Sequence, residues 1–160
     1  MSSSTLKSLW MENREMNRQE IFDTVVRHLF MQGRPAREYE LAMCCYRLLD
    51  GDVVLKCAVG CLIPDEDYRV EMESKVVAAL LDPPEGGVKR FKLPDYFREH
   101  YLLLEKLQMA HDARANYGAG TGLFNLPMLY EELEVIAFEE ELNANVLEEC
   151  YAKAKEKPSI

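Results

Sequence analysis

The chain has little glycine and proline, no long apolar run, and too few basic residues to balance its acidic ones. Eight glycines and seven prolines in 160 residues exclude collagen-like and low-complexity sequence. No apolar run approaches the roughly 20 residues that a membrane helix needs. The N-terminal MSSSTLKSLWMENREM lacks the apolar core of a secretory signal. Nineteen basic against 28 acidic residues give a net charge of −9, so we expect no direct nucleic-acid binding. We expect a cytoplasmic protein with no membrane contact.

Apolar periodicity predicts a mainly α (α+β) fold, with five to six helices packed around one short β-hairpin. The first helix should begin after Asn17, which with Glu20 forms a capping box, and end before Gly33. The predicted helices cover 18–32, 57–63, 70–81, 93–116, 126–142 and 145–156. Residues 1–16 are predicted to be a flexible or appended leader, and 17–157 a single globular domain.

One hairpin is predicted around the dipeptide Asp50-Gly51, which favours a turn with positive φ. Its strands should cover residues 42–48 and 53–57. A two-stranded hairpin is marginally stable alone, so we expect it to lie against the helices.

The five cysteines predict reduced thiols, because their number is odd and the chain carries no export signal. Cys57 and Cys61 lie one helical turn apart, and with Cys45 and a histidine they could surround zinc. The paired C-x-x-C knuckles of structural zinc sites are absent, and the neighbouring residues are apolar. We therefore expect these cysteines to pack in the core, with no metal and no cofactor.

A cysteine-dependent hydrolase or transferase is the alternative. Cys57 at the start of a short helix would be the nucleophile, His111 the base, and Asp112 or another carboxylate the group that orients it. Adjacent helical residues point about 100° apart, so we expect His111 to continue an apolar stripe and Asp112 to face away from it. The common hydrolase, metalloprotease and phosphate-binding motifs are absent from the sequence, which favours a protein that is not an enzyme.

Two motifs resemble a family of small uncharacterised proteins from bacteriophages and bacterial genomes. The run CCYRLLDGDVVLKCAVGCLIPDEDY resembles a C-x-YR…DG…CA-x-G-x-LI-x-D block, with the leading cysteine taken as Cys45, and LQMAHD resembles a later LQ-x-x-HD motif. The resemblance implies a shared fold, a phage or bacterial origin, and a meeting of Cys57 with His111. It implies no reaction. From the residues themselves, we expect Gly60 to permit a close approach of another element and Arg47 to pair with Asp65.

The C-terminal half is acidic on one side. Residues 115–152 contain no Lys or Arg. The candidate binding residues on the predicted helix are its glutamates, Glu131, Glu132, Glu134, Glu139, Glu140 and Glu141. Such a face is either an ordinary solvated surface or the docking surface of a protein with a basic surface. We favour a small accessory protein that binds another protein, one that modulates a host or defence protein for example.

Overall fold

The computed structural model describes residues 15–38, 43–81, 91–114 and 122–156. The mainly α class is confirmed. Within the described residues the α-helices are α1 (Arg18–Gln32), α2 (Val77–Leu81), α3 (Tyr96–Glu99), α4 (Tyr101–Arg114), α5 (Leu126–Glu139) and α6 (Asn145–Glu156). Of the predicted leader, residues 1–14 lie outside the described residues, as do residues 157–160 at the other end.

The limits of α1 agree with the prediction because both ends are capped by side-chain or backbone hydrogen bonds. The Asn17 side chain accepts a hydrogen bond from the backbone N–H of Glu20 at 2.9 Å, and its amide donates to the Glu20 carboxylate at 2.9 Å. Gly33 ends the helix with φ 71°, and its N–H donates to the carbonyl of Leu29. The buried face of α1 includes Ile21 and Phe22, both fully inaccessible.

The predicted hairpin is present with shorter strands and a shifted turn. Strand β3 (Leu48–Asp50) pairs with β4 (Val53–Leu55) in the antiparallel register Leu48↔Leu55. Gly51, at φ 62°, and Asp52 form the two-residue connection, so Asp50 belongs to the strand. A second short ladder joins β1 (Arg37–Glu38) to β2 (Met43–Cys44). The predicted strand 42–48 is therefore wrong at residues 45–47, where the chain bends between β2 and β3, and residue 42 lies outside the described residues.

Two predicted helices are interrupted. Residues 57–63 form a turn and the 3₁₀ segment Gly60–Leu62, and residues 70–81 divide into the 3₁₀ segment Val70–Met72 and helix α2. Ser74, with φ 67°, separates the last two. Val70 and Val76, which flank this break, are 70% and 72% exposed.

The long predicted helix 93–116 is divided at His100, whose φ of −113° and ψ of 32° end α3. The apolar stripe predicted for this segment is fully buried at Phe97, Leu104, Leu107 and His111. Its other two members, Tyr101 and Gln108, are partly buried. Residues 115 and 116 lie outside the described residues. Helix α5 ends three residues before the predicted 142, and α6 has the predicted limits.

One cluster of buried apolar residues receives side chains from all six helices. Helix α1 packs along α6, where the Phe30 and Tyr151 rings lie 6.1 Å apart, and Tyr151 stacks on Tyr130 of α5 at 4.5 Å. Helix α4 packs along α5 and is joined to it by the ion pair of Lys106 with Glu139, at 2.8 Å. The C-terminal turns of α4 thereby face β2 and the bend that follows it.

Candidate functional site

Three side chains with metal-binding or catalytic chemistry meet where α4 faces β2. One candidate ligand atom from each of Cys44, His111 and Asp112 lies within 4.8 Å of the others. Strand β2 supplies the cysteine, and adjacent positions near the end of α4 supply the histidine and the aspartate. The cysteine that reaches His111 and Asp112 is thus Cys44, not Cys45 or Cys57.

His111 is fully buried, and hydrogen bonds hold both of its ring nitrogens. The backbone N–H of Ala36 donates to Nε2 at 3.3 Å, and Nδ1 lies 2.9 Å from Oδ1 of Asp112. Because Nε2 accepts, the neutral ring carries its proton on Nδ1 and donates it to Asp112. The edge of the ring meets Phe124, with centroids 5.6 Å apart.

Asp112 lies at the centre of the hydrogen-bond network. Its carboxylate accepts hydrogen bonds from His111, from the Cys44 thiol, and from Nε2 of Gln108 at 2.7 Å. Burial, the largest single effect, raises the pKa of Asp112, but the hydrogen bonds from His111, Cys44 and Gln108 and the electrostatic interaction with His111 together hold the pKa below its ordinary value. Our expectation that Asp112 faces away from His111 was wrong. The Cα–Cβ bonds diverge along the helix, yet side-chain rotation brings the carboxylate back to the ring.

Gln108 ties this network to the segment after the hairpin. Its Oε1 accepts the backbone N–H of Val59 at 3.1 Å while its amide donates to Asp112. Gln108, one turn before Asp112 on α4, therefore links the two sequence motifs directly.

Neither the buried thiol of Cys57 nor the partly buried thiol of Cys44 is prepared for nucleophilic attack. Cys57 is 1% exposed, and burial raises the pKa of its thiol well above the usual value, while the hydrogen bond from the Gly60 N–H offsets only part of this effect. Burial also raises the pKa of Cys44, and its hydrogen bond to Asp112 raises it further. A nucleophilic cysteine needs a thiolate within reach of both base and substrate. The geometry therefore does not favour the catalytic set Cys57, His111 and Asp112.

The three side chains could in principle hold a metal ion, since thiolate, imidazole and carboxylate all bind zinc. The ring nitrogen that faces the other two groups is Nδ1, and it carries the proton. Ligation through Nδ1 requires the proton on Nε2 instead, where it would oppose the N–H of Ala36. The hydrogen-bond pattern therefore favours a network without metal.

A carboxylate holds the chain bend beside this network, and no sequence pattern indicated it. The two oxygens of Glu73 accept the backbone N–H groups of Tyr46 and Arg47 at 2.9 and 3.0 Å. The Tyr68 hydroxyl donates to the same carboxylate at 2.6 Å. The predicted ion pair of Arg47 with Asp65 is present at 2.7 Å. Glu73 thus fixes the position of Tyr46.

The approach expected at Gly60 is also confirmed. A Cβ atom placed there would lie 2.2 Å from the carbonyl oxygen of Tyr46 and 2.9 Å from its Cα. Only glycine leaves room for the Tyr46 backbone at this position.

A cavity of about 280 Å³ opens next to the network. Tyr46 and Cys57 of the first motif and Gln108 and Asp112 of the second line it, together with Cys44. Cys44 could have been identified from the sequence, because the pattern C-x-Y-R places its cysteine two positions before Tyr46. Gln108 also stands in the second motif.

The six candidate glutamates are distributed along α5 from its second turn, where Glu132 is partly buried, to the residue pair that follows the helix. Glu140 pairs with Arg18 and, at 3.0 Å, with Lys106, which also binds Glu139. Glu134 accepts a hydrogen bond from the Tyr130 hydroxyl at 2.8 Å. Glu131, Glu139 and Glu141 are exposed. Basic residues of α1 and α4 thus neutralise part of the acidic face.

Among the described helices, none combines the length and the apolar character needed to cross a bilayer. Comparison of the chain with protein-family models, with curated proteins and with solved structures finds no match.

Proposed function

We propose that this chain acts by binding another protein through the outer face of α5, without catalysis. The observation that carries the proposal is Phe138, which is 85% exposed at the end of an acidic helix. Phe138 directly follows the buried Ile136 and Ala137, but its own side chain projects into solvent. Val135, one turn earlier, is 52% exposed. Exposed aromatic side chains are frequent anchors of protein interfaces.

The charge around Phe138 indicates what kind of partner fits. Glu131, Glu134 and Glu141 are exposed on or just after α5, and residues 115–152 supply no Lys or Arg to offset them. Two cations from other helices, Arg18 and Lys106, bind Glu140 and Glu139. A partner with a basic surface around an apolar pocket would match both features. We name this surface, formed by Glu131, Glu134, Val135, Phe138 and Glu141, the α5 face.

The state of the cysteines and the resemblance to phage and bacterial proteins support a role inside a bacterial cell. None of the five cysteines, all of them within the described residues, forms a disulfide, which suits a reducing compartment. The enzyme alternative has less support, because the thiol assigned as nucleophile is sealed in the core.

The test compares three immobilised proteins as baits in a bacterial lysate: the wild type, Phe138→Ala and Met31→Ala. Met31 is a matched control, since it is 80% exposed on α1 and away from the acidic helix. Both substitutions are at the surface and should leave the melting temperature unchanged. We expect at least one lysate protein to bind both the wild type and Met31→Ala but not Phe138→Ala. About 0.5 M salt should release this protein from the bait.

Charge reversal provides a second arm. Glu131→Lys combined with Glu134→Lys should release the same protein without altering the fold. If every retained protein binds wild type and Phe138→Ala equally, the α5 face is not the docking surface and the proposal is wrong.

A further inference from the structure

The cavity beside Asp112 has apolar walls and an acidic end. Tyr46, Val77 and Met109 contribute its apolar lining, and Asp112 and Glu105 bring carboxylates to it. Tyr46 and Val77 are held in place by burial, at 6% and 4% exposure. Two of the three apolar side chains are therefore rigid parts of the core, whereas Met109 is 64% exposed.

The Asp112 carboxylate has capacity for one more donor. A carboxylate offers about four acceptor sites, and three donors from His111, Gln108 and Cys44 use three of them. These hydrogen bonds keep the pKa of Asp112 low, so the group is charged at neutral pH. Its side chain is 46% exposed, which leaves it accessible from the cavity.

The electrostatic balance of the cavity is negative. Glu105 is exposed at its rim. Of the described residues that line it, Lys75 alone carries a positive charge, and its ammonium donates to the carbonyl of Glu71 at 2.7 Å. A neutral ligand that covers the Asp112 carboxylate would remove water from a charged group without replacing its interactions, which is unfavourable. A cation with an apolar group would pair with the carboxylate and pack against the apolar walls.

We propose that this cavity binds a small organic ammonium ion, with the ammonium on Asp112 and the apolar group against Tyr46, Val77 and Met109. The volume of about 280 Å³ lies at the lower limit of the roughly 300–1,000 Å³ typical of ligand pockets, so the ligand is small. A metal ion fits less well, because His111 presents a proton to Asp112 rather than a lone pair to the cavity. The inference is independent of the α5 face.

The probe pair is 2-phenylethylammonium and 2-phenylethanol, which share the ring and the chain and differ in charge. Binding is measured by NMR titration of the full chain, with the Met109 methyl as the reporter inside the cavity. We expect the ammonium to bind about tenfold more tightly than the alcohol, as charge-assisted hydrogen bonds exceed neutral ones. A second probe pair, Nα-acetyl-lysine amide and its norleucine analogue, tests whether the ammonium group of a lysine side chain binds in the cavity.

Two variants locate the site. Asp112→Asn keeps an acceptor for His111 and Gln108 but removes the charge, so the preference for ammonium should disappear. Glu105→Lys changes only the exposed rim and places a competing ammonium at the cavity mouth, so it should weaken ammonium binding even if Asp112→Asn fails to fold. Equal binding of ammonium and alcohol, a preference that survives both variants, or an unmoved Met109 signal would each overturn the proposal.

Discussion

Gly60→Ala should destabilise the fold strongly although alanine is the smallest possible addition. The new Cβ would lie 2.2 Å from the Tyr46 carbonyl oxygen and 2.9 Å from both its carbonyl carbon and its Cα. All three are backbone atoms, so no side-chain rotation relieves the contact. Gly60 does not have a positive φ, so the cost comes from the collision and not from backbone conformation.

The surrounding hydrogen bonds determine the magnitude. The Tyr46 N–H is bound to Glu73, its hydroxyl donates to the Lys75 carbonyl at 2.5 Å, and the Gly60 N–H is bound to Cys57 Sγ at 3.3 Å. A shift that admits the methyl group would strain these contacts together. Overpacking of this kind costs about 1–3 kcal/mol, and we expect the upper part of that range. At roughly 2–4 °C per kcal/mol for a chain of this size, the melting temperature should fall by about 5–10 °C.

Thermal denaturation followed by far-UV circular dichroism measures this loss, with Gly51→Ala as the control. A Cβ at Gly51 meets no atom within 4 Å, but its φ of 62° is unfavourable for alanine, at a cost of about 1 kcal/mol. Gly51→Ala should therefore melt closer to the wild type than Gly60→Ala does. A Gly60→Ala midpoint within about 1 °C of the wild type would refute the close approach to Tyr46.

Three further substitutions test other parts of the structure. Glu73→Ala should lower the free energy of unfolding, measured by chemical denaturation, by about 2–5 kcal/mol, because it leaves two backbone N–H groups unpaired. The control Glu71→Ala, at an exposed position, should change it by less than about 0.5 kcal/mol, and equal effects of the two substitutions would contradict the role of Glu73. Burial holds the pKa of His28 below its usual 6.5 in the folded state, so the unfolded chain takes up the proton first and the free energy of unfolding falls as the pH drops below about 6.5. In His28→Gln the free energy of unfolding should fall less steeply between pH ~7.5 and ~5.5, and the same pH dependence in variant and wild type would exclude this linkage. Cys57→Ser should lower the free energy of unfolding by about 1–3 kcal/mol. The buried hydroxyl can still accept the hydrogen bond from the Gly60 N–H, but its own proton needs an acceptor; an unchanged denaturation midpoint would show that Cys57 is not packed in the core.

Local sequence signals predicted those elements whose ends are determined by neighbouring residues. Helix α1 is bounded by Asn17 and Gly33, and both ends were predicted correctly because capping depends on residues within one turn. The apolar stripe of α4 was predicted for the same reason, since its spacing is a property of the helix alone.

Elements that depend on distant partners were not predictable in this way. Residues 70–81 have helical periodicity, yet Glu73 lies against the N–H groups of Tyr46 and Arg47, 27 and 26 positions away, and Ser74 adopts φ 67° next to it. Phe138 continues the apolar pattern of α5 but is exposed at the end of the helix. Periodicity shows which side chains can share a face, and it does not show where that face ends.

The candidate site shows the same difference between features set by neighbouring residues and features set by distant ones. From the sequence alone came the residue types, the two motifs that carry them, the close approach at Gly60 and the pair of Arg47 with Asp65. Only the tertiary structure decided that Cys44 rather than Cys57 meets His111, and that Asp112 turns back to the ring beside it. The physical reason is that hydrogen bonds select among the rotamers of each side chain. The Gln108 amide lies one turn away on α4 itself, but the Ala36 N–H and the Cys44 thiol reach His111 and Asp112 only once α4 packs against β2.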